Sequence, residues 1–165
     1  MRKLTNSIVS FIFTFIVRLK CKTSGVKLKV NGFSIVSKNT ILGTNVNFNG
    51  MRISGGGNVK IGDNFHSGKE CLMISQNHNF NKGSKIPYDN TYIFKNIIIE
   101  DNVWFGDRVI VLGGVRIGEG AIIQAGSVVV KDIPKYAIAG GHPAKVFTER
   151  DIKHYLFLKE RKQFH

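Results

Sequence analysis

The sequence predicts an all-β fold, a parallel β-helix wound from hexapeptide repeats, and three observations carry that reading. Across residues 99–131 an aliphatic or aromatic residue returns at every sixth position: Ile99, Phe105, Val111, Ile117, Ile123 and Val129. A second small or apolar residue follows each of these by four places: Val103, Val109, Val115, Ala121, Ser127 and Ile133. A period of six is neither the 3.6 of a helix nor the 2 of a half-buried strand. Finally, 18 glycines against 3 prolines suit tight turns between short strands.

The repeat reads as short strand, tight turn, short strand. Three such strands close a triangular coil of about 18 residues. Coils then stack roughly 4.8 Å apart by parallel pairing, with each aliphatic residue pointing into the prism. Gly106, Gly118 and Gly126, with Asn102, fall at corners, where the sequence predicts positive φ.

The frame starts near Val30 and continues through Val36, Leu42 and Phe48. It slips by one residue at the glycine triplet 55–57 and resumes at Ile61, with Phe65 and Cys71 at the second inward position and Met73 at the first. The 26 residues from Met73 to Ile99 are not a multiple of six. If the frame would otherwise resume at residue 79, about 20 residues are extruded, and so long a departure from a regular repeat is functional or disordered. The aromatics, amides and single Pro of residues 76–96 favour a folded binding arm, at about 79–97.

Residues 1–22 form an amphipathic helix in this reading. Leu4, Ile8, Phe11, Ile12, Phe15, Ile16 and Leu19 keep helical spacing on one face, with Ser7, Ser10, Thr14 and Arg18 largely elsewhere. The basic start and apolar middle imitate a signal peptide, yet Arg18, Lys20 and Lys22 stand where a small-residue cleavage site belongs. The apolar run 8–17 is too short to span a bilayer. The apolar face is expected either to cover the open first coil of the prism or to lie in the plane of a membrane.

The β-helix occupies residues 23–147. Beyond Val129, Pro134 interrupts the repeat and Gly140 and Gly141 permit a sharp turn. Thr148 reads as an N-cap with Asp151 three places on. A helix is expected from about 149 to 162, in a C-terminal segment 148–165, packing back through Ile152, Tyr155, Leu156 and Lys159.

A net charge of +13 fits a solvated basic surface or anionic partners such as a phosphorylated cofactor, a lipid diphosphate or a membrane face. Zinc-finger spacing, an RNP-type strand and a basic zipper are all missing, which argues against nucleic acid. Two cysteines, Cys21 and Cys71, without CxxC spacing argue against a metal site or a disulfide framework. They fit a reducing compartment, and the chain is expected to be cytoplasmic, the inner face of a membrane being the alternative for its helix.

The hexapeptide frame together with the segments DNVWFGD, IQAGSVVVKDIP and GGHPAKVF resembles the left-handed β-helix acyltransferases, nearest in look to the sugar and polysaccharide O-acetyltransferases of the galactoside and maltose type. The resemblance covers roughly residues 30–147. It implies acetyl-CoA as donor, a homotrimer, and a catalytic histidine at His78. It places the acceptor-orienting asparagine at Asn49, with Asn47 as a competitor because of the frame slip. It puts the indole of the cofactor groove at Trp104 and backbone contacts to pantetheine at Gly106, Ala125 and Gly126. Lys131 and Lys145 fall near the cofactor phosphates and Pro143 beside the adenine. Within the arm, Asn79 and Tyr88 are candidate acceptor contacts. In two places the chain departs from that pattern: Asp107 stands where some members have a small hydroxyl residue, and Thr148 where some have a second Arg, which would shift the phosphate grip to Arg150.

The chemistry asks for little more. A sugar hydroxyl needs a base to take its proton as it attacks a thioester, and a histidine suits this near neutrality. A backbone N–H at a coil corner can hold the oxyanion. Direct transfer needs no nucleophilic Ser or Cys once both substrates share a groove. The expected function is thus acetyl-CoA-dependent O-acetyl transfer to a sugar of a surface polysaccharide or its precursor. The alternatives are N-acetyl transfer to an amino sugar, a zinc hydratase of the γ-carbonic-anhydrase kind, and a non-catalytic scaffold. The hydratase would need two histidines close together in the repeat, whereas His66 and His78 are 12 apart.

Overall fold

A computed structural model describes residues 2–165, with side chains from Ser7 onward. The chain opens with helix α1 (Arg2–Lys20) and then winds as a three-sided parallel β-solenoid of about six turns. Face I stacks Thr23–Ser24, Thr40–Leu42, Val59–Ile61, Ile97–Ile99 and Arg116–Ile117. Face II stacks Lys29–Gly32, Asn47–Asn49, His66–Ser67, Trp104–Phe105, Ile122–Ile123 and Ala137–Gly141. Face III stacks Met51–Ser54, Cys71–Ile74, Ile110–Leu112 and Val128–Val129. An antiparallel strand, Ala144–Glu149, closes face II by folding back on Ala137–Gly141, and helix α2 (Ile152–Glu160) ends the fold.

The inward residues read from the period of six are the core. Ile99, Phe105, Val111, Ile117, Ile123 and Val129 are all buried, as are their companions four places on, from Val103 to Ile133. Phe48, Phe65 and Phe105 stack edge to face down the interior, with ring centroids 6.0 and 5.0 Å apart. Register shows how the chain absorbs its irregularities. Ile110 pairs with Val128, a normal coil of 18, but Leu42 pairs with Ile61 and Ile53 with Met73. The single slip expected at 55–57 is therefore two adjustments: one residue is lost at the Gly50 corner and two are gained at the glycine triplet. The extruded arm is a hairpin whose strands Gln76–His78 and Tyr92–Phe94 pair antiparallel, so the folded arm is present.

The corner expectation holds for Asn102 (φ 59°) and Gly126 (φ 72°) but not for Gly106 and Gly118. Those two are glycine because coils approach closely there. A Cβ on Gly106 would lie 2.5 Å from the backbone nitrogen of Ala125, and one on Gly118 2.5 Å from that of Lys135. Positive φ instead recurs along the edge between faces I and II, at Lys27, Asn45, Asn64, Asn102, Gly120 and Tyr136. Down this edge the amides form a ladder. Asn45 Nδ2 donates to Asn64 Oδ1 and Asn64 Nδ2 to Asn102 Oδ1, each at 2.9 Å, and Asn102 Nδ2 donates to the Tyr155 hydroxyl at 2.8 Å.

The C-terminal helix starts later than expected. Residues up to Glu149 are strand, and the N-cap is Asp151, whose carboxylate accepts from the His154 N–H at 3.0 Å. Thr148 cannot cap because it pairs with Ile138. Helix α2 docks through Glu119, whose carboxylate accepts from the Tyr155 hydroxyl at 3.0 Å and from the Lys159 ammonium. Burial alone would push the Glu119 carboxyl up, but those two hydrogen bonds and the charges of Lys159 and Lys135 hold it below the usual carboxylate range. Glu119→Ala should cost about 2 kcal/mol, since hydrogen bonds to a charged group are lost. A carboxylate lowered by folding stabilises fully above its unfolded pKa of about 4.3 and loses that contribution as pH falls through the lowered folded value. Urea denaturation across acid pH should show this dependence in the wild type and a weaker one in the variant.

Helix α1 is present where expected but turned over. It packs on the first coil through Val17, which is buried, with Phe13 packed edge to face on Phe33 at 5.8 Å. Its polar stripe lies on the same side: Thr14 Oγ1 accepts from the Val30 N–H at 3.0 Å and Ser10 Oγ donates to Asn31 Oδ1 at 3.4 Å. Unpaired strand-edge groups on the first coil need partners, and hydroxyls provide them where aliphatic carbons cannot. Of the two expectations for the apolar stripe, the one that it covers the coil does not hold: it points away, with Phe11, Phe15 and Leu19 exposed at 74, 55 and 69%. Leu4 lies outside the described side chains.

Candidate functional site

His78 closes the first strand of the hairpin arm, where face III would turn into face I. Its ring is held by two tyrosines. Tyr88 stacks on it at 3.7 Å between centroids with a 17° interplanar angle, and Tyr92, its antiparallel partner, lies tilted at 4.7 Å. The arm is tied internally by Asp89, which accepts from the Ser84 and Thr91 backbone N–H groups at 2.7 and 2.9 Å and from both hydroxyls. These bonds hold the Asp89 carboxyl well below the usual range, the Thr91 hydroxyl contributing most. Asn79 turns the arm at its base, its Oδ1 accepting from the Lys82 N–H at 3.2 Å. The imidazole is thus fixed by stacking rather than by hydrogen bonding. Among the described residues its enclosed Nδ1 has no hydrogen-bond partner.

The remaining candidates sort by edge. Asn49 ends its strand at the corner between faces II and III, its Oδ1 accepting from Asn31 Nδ2 at 2.9 Å and its Nδ2 donating to the Ser67 carbonyl at 2.7 Å. Asn47 stands two places earlier, outward on face II, paired with His66. Trp104 is outward on the same face between His66 and Ile122, and half exposed at 51%. Gly106 follows it at the corner, with Ala125 and Gly126 one coil on; a Cβ on Gly126 would meet nothing within 4 Å. The turn carrying Pro143 comes back to this corner, where the Gly141 N–H donates to Ser127 Oγ at 3.1 Å and Lys145 pairs with Gly140. Lys131 lies on the other edge, after the face III strand Val128–Val129.

The candidate residues therefore fall into two groups on this chain. Asn49, Gly106, Ala125, Gly126, Pro143 and Lys145 follow the edge between faces II and III, and Trp104 stands outward on face II itself. His78, Asn79, Tyr88 and Lys131 follow the edge between III and I. Trp104 also lines a cleft of about 370 Å³ beside α2, together with His66, Asn102, Tyr155 and Phe164. Burial, then the neighbouring His165 ring, keeps His66 below the usual imidazole range. Arg150, an expected phosphate contact, is turned into this region: its Nε donates to the Gly120 carbonyl and its guanidinium lies 5.6 Å from the Tyr155 ring. Tyr92 escaped the sequence reading, because its place beside His78 follows only from the register of the hairpin.

A triangular solenoid built on a hexad and interrupted by one hairpin arm defines the class: this is a hexapeptide-repeat β-solenoid. Residues 96–131 match the family described as bacterial transferase hexapeptide (six repeats). A Saccharomyces cerevisiae protein named "Putative acetyltransferase YJL218W" is 33% identical over 124 residues, which span 58% of this chain and 60% of that protein. A solved galactoside acetyltransferase in complex with coenzyme A superposes with a TM-score of 0.73 at 26% identity, covering 92% of this chain and 82% of that one. A maltose O-acetyltransferase from Clostridium difficile 630 gives a TM-score of 0.61 at 27% identity, covering 79% and 68%.

Proposed function

We propose that this protein moves acetyl from acetyl-CoA to a hydroxyl of a sugar, in a surface polysaccharide or its precursor, at sites formed between chains of a homotrimer. The observation that carries the reading is the split of the candidate residues between two edges of the prism. A threefold ring sets one edge of each chain against the other edge of its neighbour. The clamped His78 of one chain would then face the open Gly106, Ala125 and Gly126 corner of the next. That corner fits a pantetheine arm, because open space lies over Gly126 and only small residues stand beside it, and Lys145 beyond it suits the cofactor phosphates.

In this arrangement the acceptor oxygen attacks the thioester carbonyl and its proton passes to His78. The C–O bond forms, the oxyanion collapses, and the C–S bond breaks. The imidazolium then returns the proton to the departing CoA thiolate. Stacking between Tyr88 and Tyr92 contributes by holding the ring in one orientation, so that little is lost to reorganisation.

Incubation with acetyl-CoA and a panel of nucleotide sugars, oligosaccharides and lipid-linked glycans should release CoA thiol only with a true acceptor and leave an ester on a hydroxyl. Acetyl on an amine instead would make the enzyme an N-acetyltransferase. Sedimentation should give the mass of three chains; a stable, active monomer would remove the site between chains.

A further inference from the structure

We propose that the outward face of α1 docks in the plane of an anionic lipid bilayer. This inference is independent of the acetyl-transfer reading. Ile8, Phe11, Ile12, Phe15, Ile16 and Leu19 are all exposed, directly opposite the side of the helix that packs on the solenoid. At about 100° per residue they cover a single stripe of the helix. The docking side of α1 already uses its hydroxyls and Val17, so nothing in the fold of this chain calls for the outer stripe to be apolar. Among the described residues no helix is long and apolar enough to cross a membrane, so the helix would lie flat.

Charge selects the occupant. Residues 1–62 hold ten Lys and Arg and no Asp or Glu; the first carboxylate in the chain is Asp63. The remaining residues hold 14 basic and 11 acidic groups, so most of the net charge of +13 sits at the α1 end of the solenoid. Arg18 and Lys20 are exposed and flank the apolar stripe on its two sides, where their ammonium and guanidinium groups can reach headgroups while their stems lie along the apolar layer. Lys22 and Lys27, also exposed, follow just beyond the helix. A second copy docked on the same face would bring ten more cations and no carboxylate. An anionic bilayer provides both the apolar layer and the countercharge.

The test is co-sedimentation of the full chain with phosphatidylcholine vesicles, with and without phosphatidylglycerol. The wild type should pellet with the anionic vesicles and bind about tenfold less to phosphatidylcholine alone or at high salt. The variant F11S/F15S/L19S changes only exposed side chains, so its far-UV spectrum should be that of the wild type, while vesicle partition falls by at least about tenfold. R18Q/K20Q/K22Q should lose binding to anionic vesicles and keep whatever phosphatidylcholine binding exists. A wild type that ignores both vesicle types, or a serine variant that binds as well as the wild type, overturns the proposal. A serine variant that changes the sedimenting mass, with no vesicle binding by the wild type, reassigns the face to a second copy and overturns it equally.

Discussion

His78→Ala is expected to lower kcat by roughly 10²–10⁴-fold, the usual worth of a positioned general base. The loss should appear equally in kcat/KM, because proton transfer is an interaction made only in the transition state. His78 sits on the arm, outside the buried column of the solenoid, and no hydrogen bond of its ring is lost on truncation among the described residues. Folding and assembly should therefore be untouched. In the proposed site the imidazole faces the acceptor and the pantetheine lies on the neighbouring chain, so acetyl-CoA affinity should be unchanged. Transfer to the acceptor measured alongside acetyl-CoA binding separates the outcomes. Turnover close to wild type would remove His78 as the base.

Phe65→Ala should be the most damaging single truncation in the core, costing about 4 kcal/mol. Phe65 is the middle ring of the internal stack, so its loss breaks both edge-to-face contacts and leaves a void between Phe48 and Phe105. The surrounding coils are pinned by parallel ladders on three sides, which limits their collapse into the gap. A urea titration should show a lower midpoint with an unchanged slope. A shift corresponding to less than about 1 kcal/mol would mean that the coils relax around the void.

Much of this architecture was legible because the hexad is a local signal: every coil repeats the same burial demand, from Ile99 to Val129. The arm was legible for the same reason, since an interrupted period has a measurable length. Two things were not. The orientation of α1 depends on which polar groups the first coil leaves unpaired. An amphipathic pattern identifies an apolar face without saying whether that face or the hydroxyl face of Ser10 and Thr14 meets the solenoid. The limits of α2 depended on whether Thr148 would be claimed by a strand, and its pairing with Ile138 is a non-local contact. At the candidate site, His78 and Trp104 could be singled out as residues, but the placement of one on the hairpin arm and the other on face II follows from the winding of the coil.

The amide ladder has a consequence for how such a chain can change over evolutionary time. Along the edge between faces I and II the spacing of inward residues never varies, from Leu28 and Val30 through Phe65 and Ser67 to Ala137 and Ala139. Every length change falls on the other two edges: the residue lost at Gly50, the two gained at 55–57, the hairpin after Ile74, and the shortened corner before Ile133, which pairs with Ile117. One edge thus acts as a spine whose hand-to-hand amides and left-handed corners leave no room for an extra residue. The other two are free to accept novelty, and they are the edges that carry His78 and the open glycine corner. Insertions can remodel those two edges without disturbing the thread that keeps the coils in register.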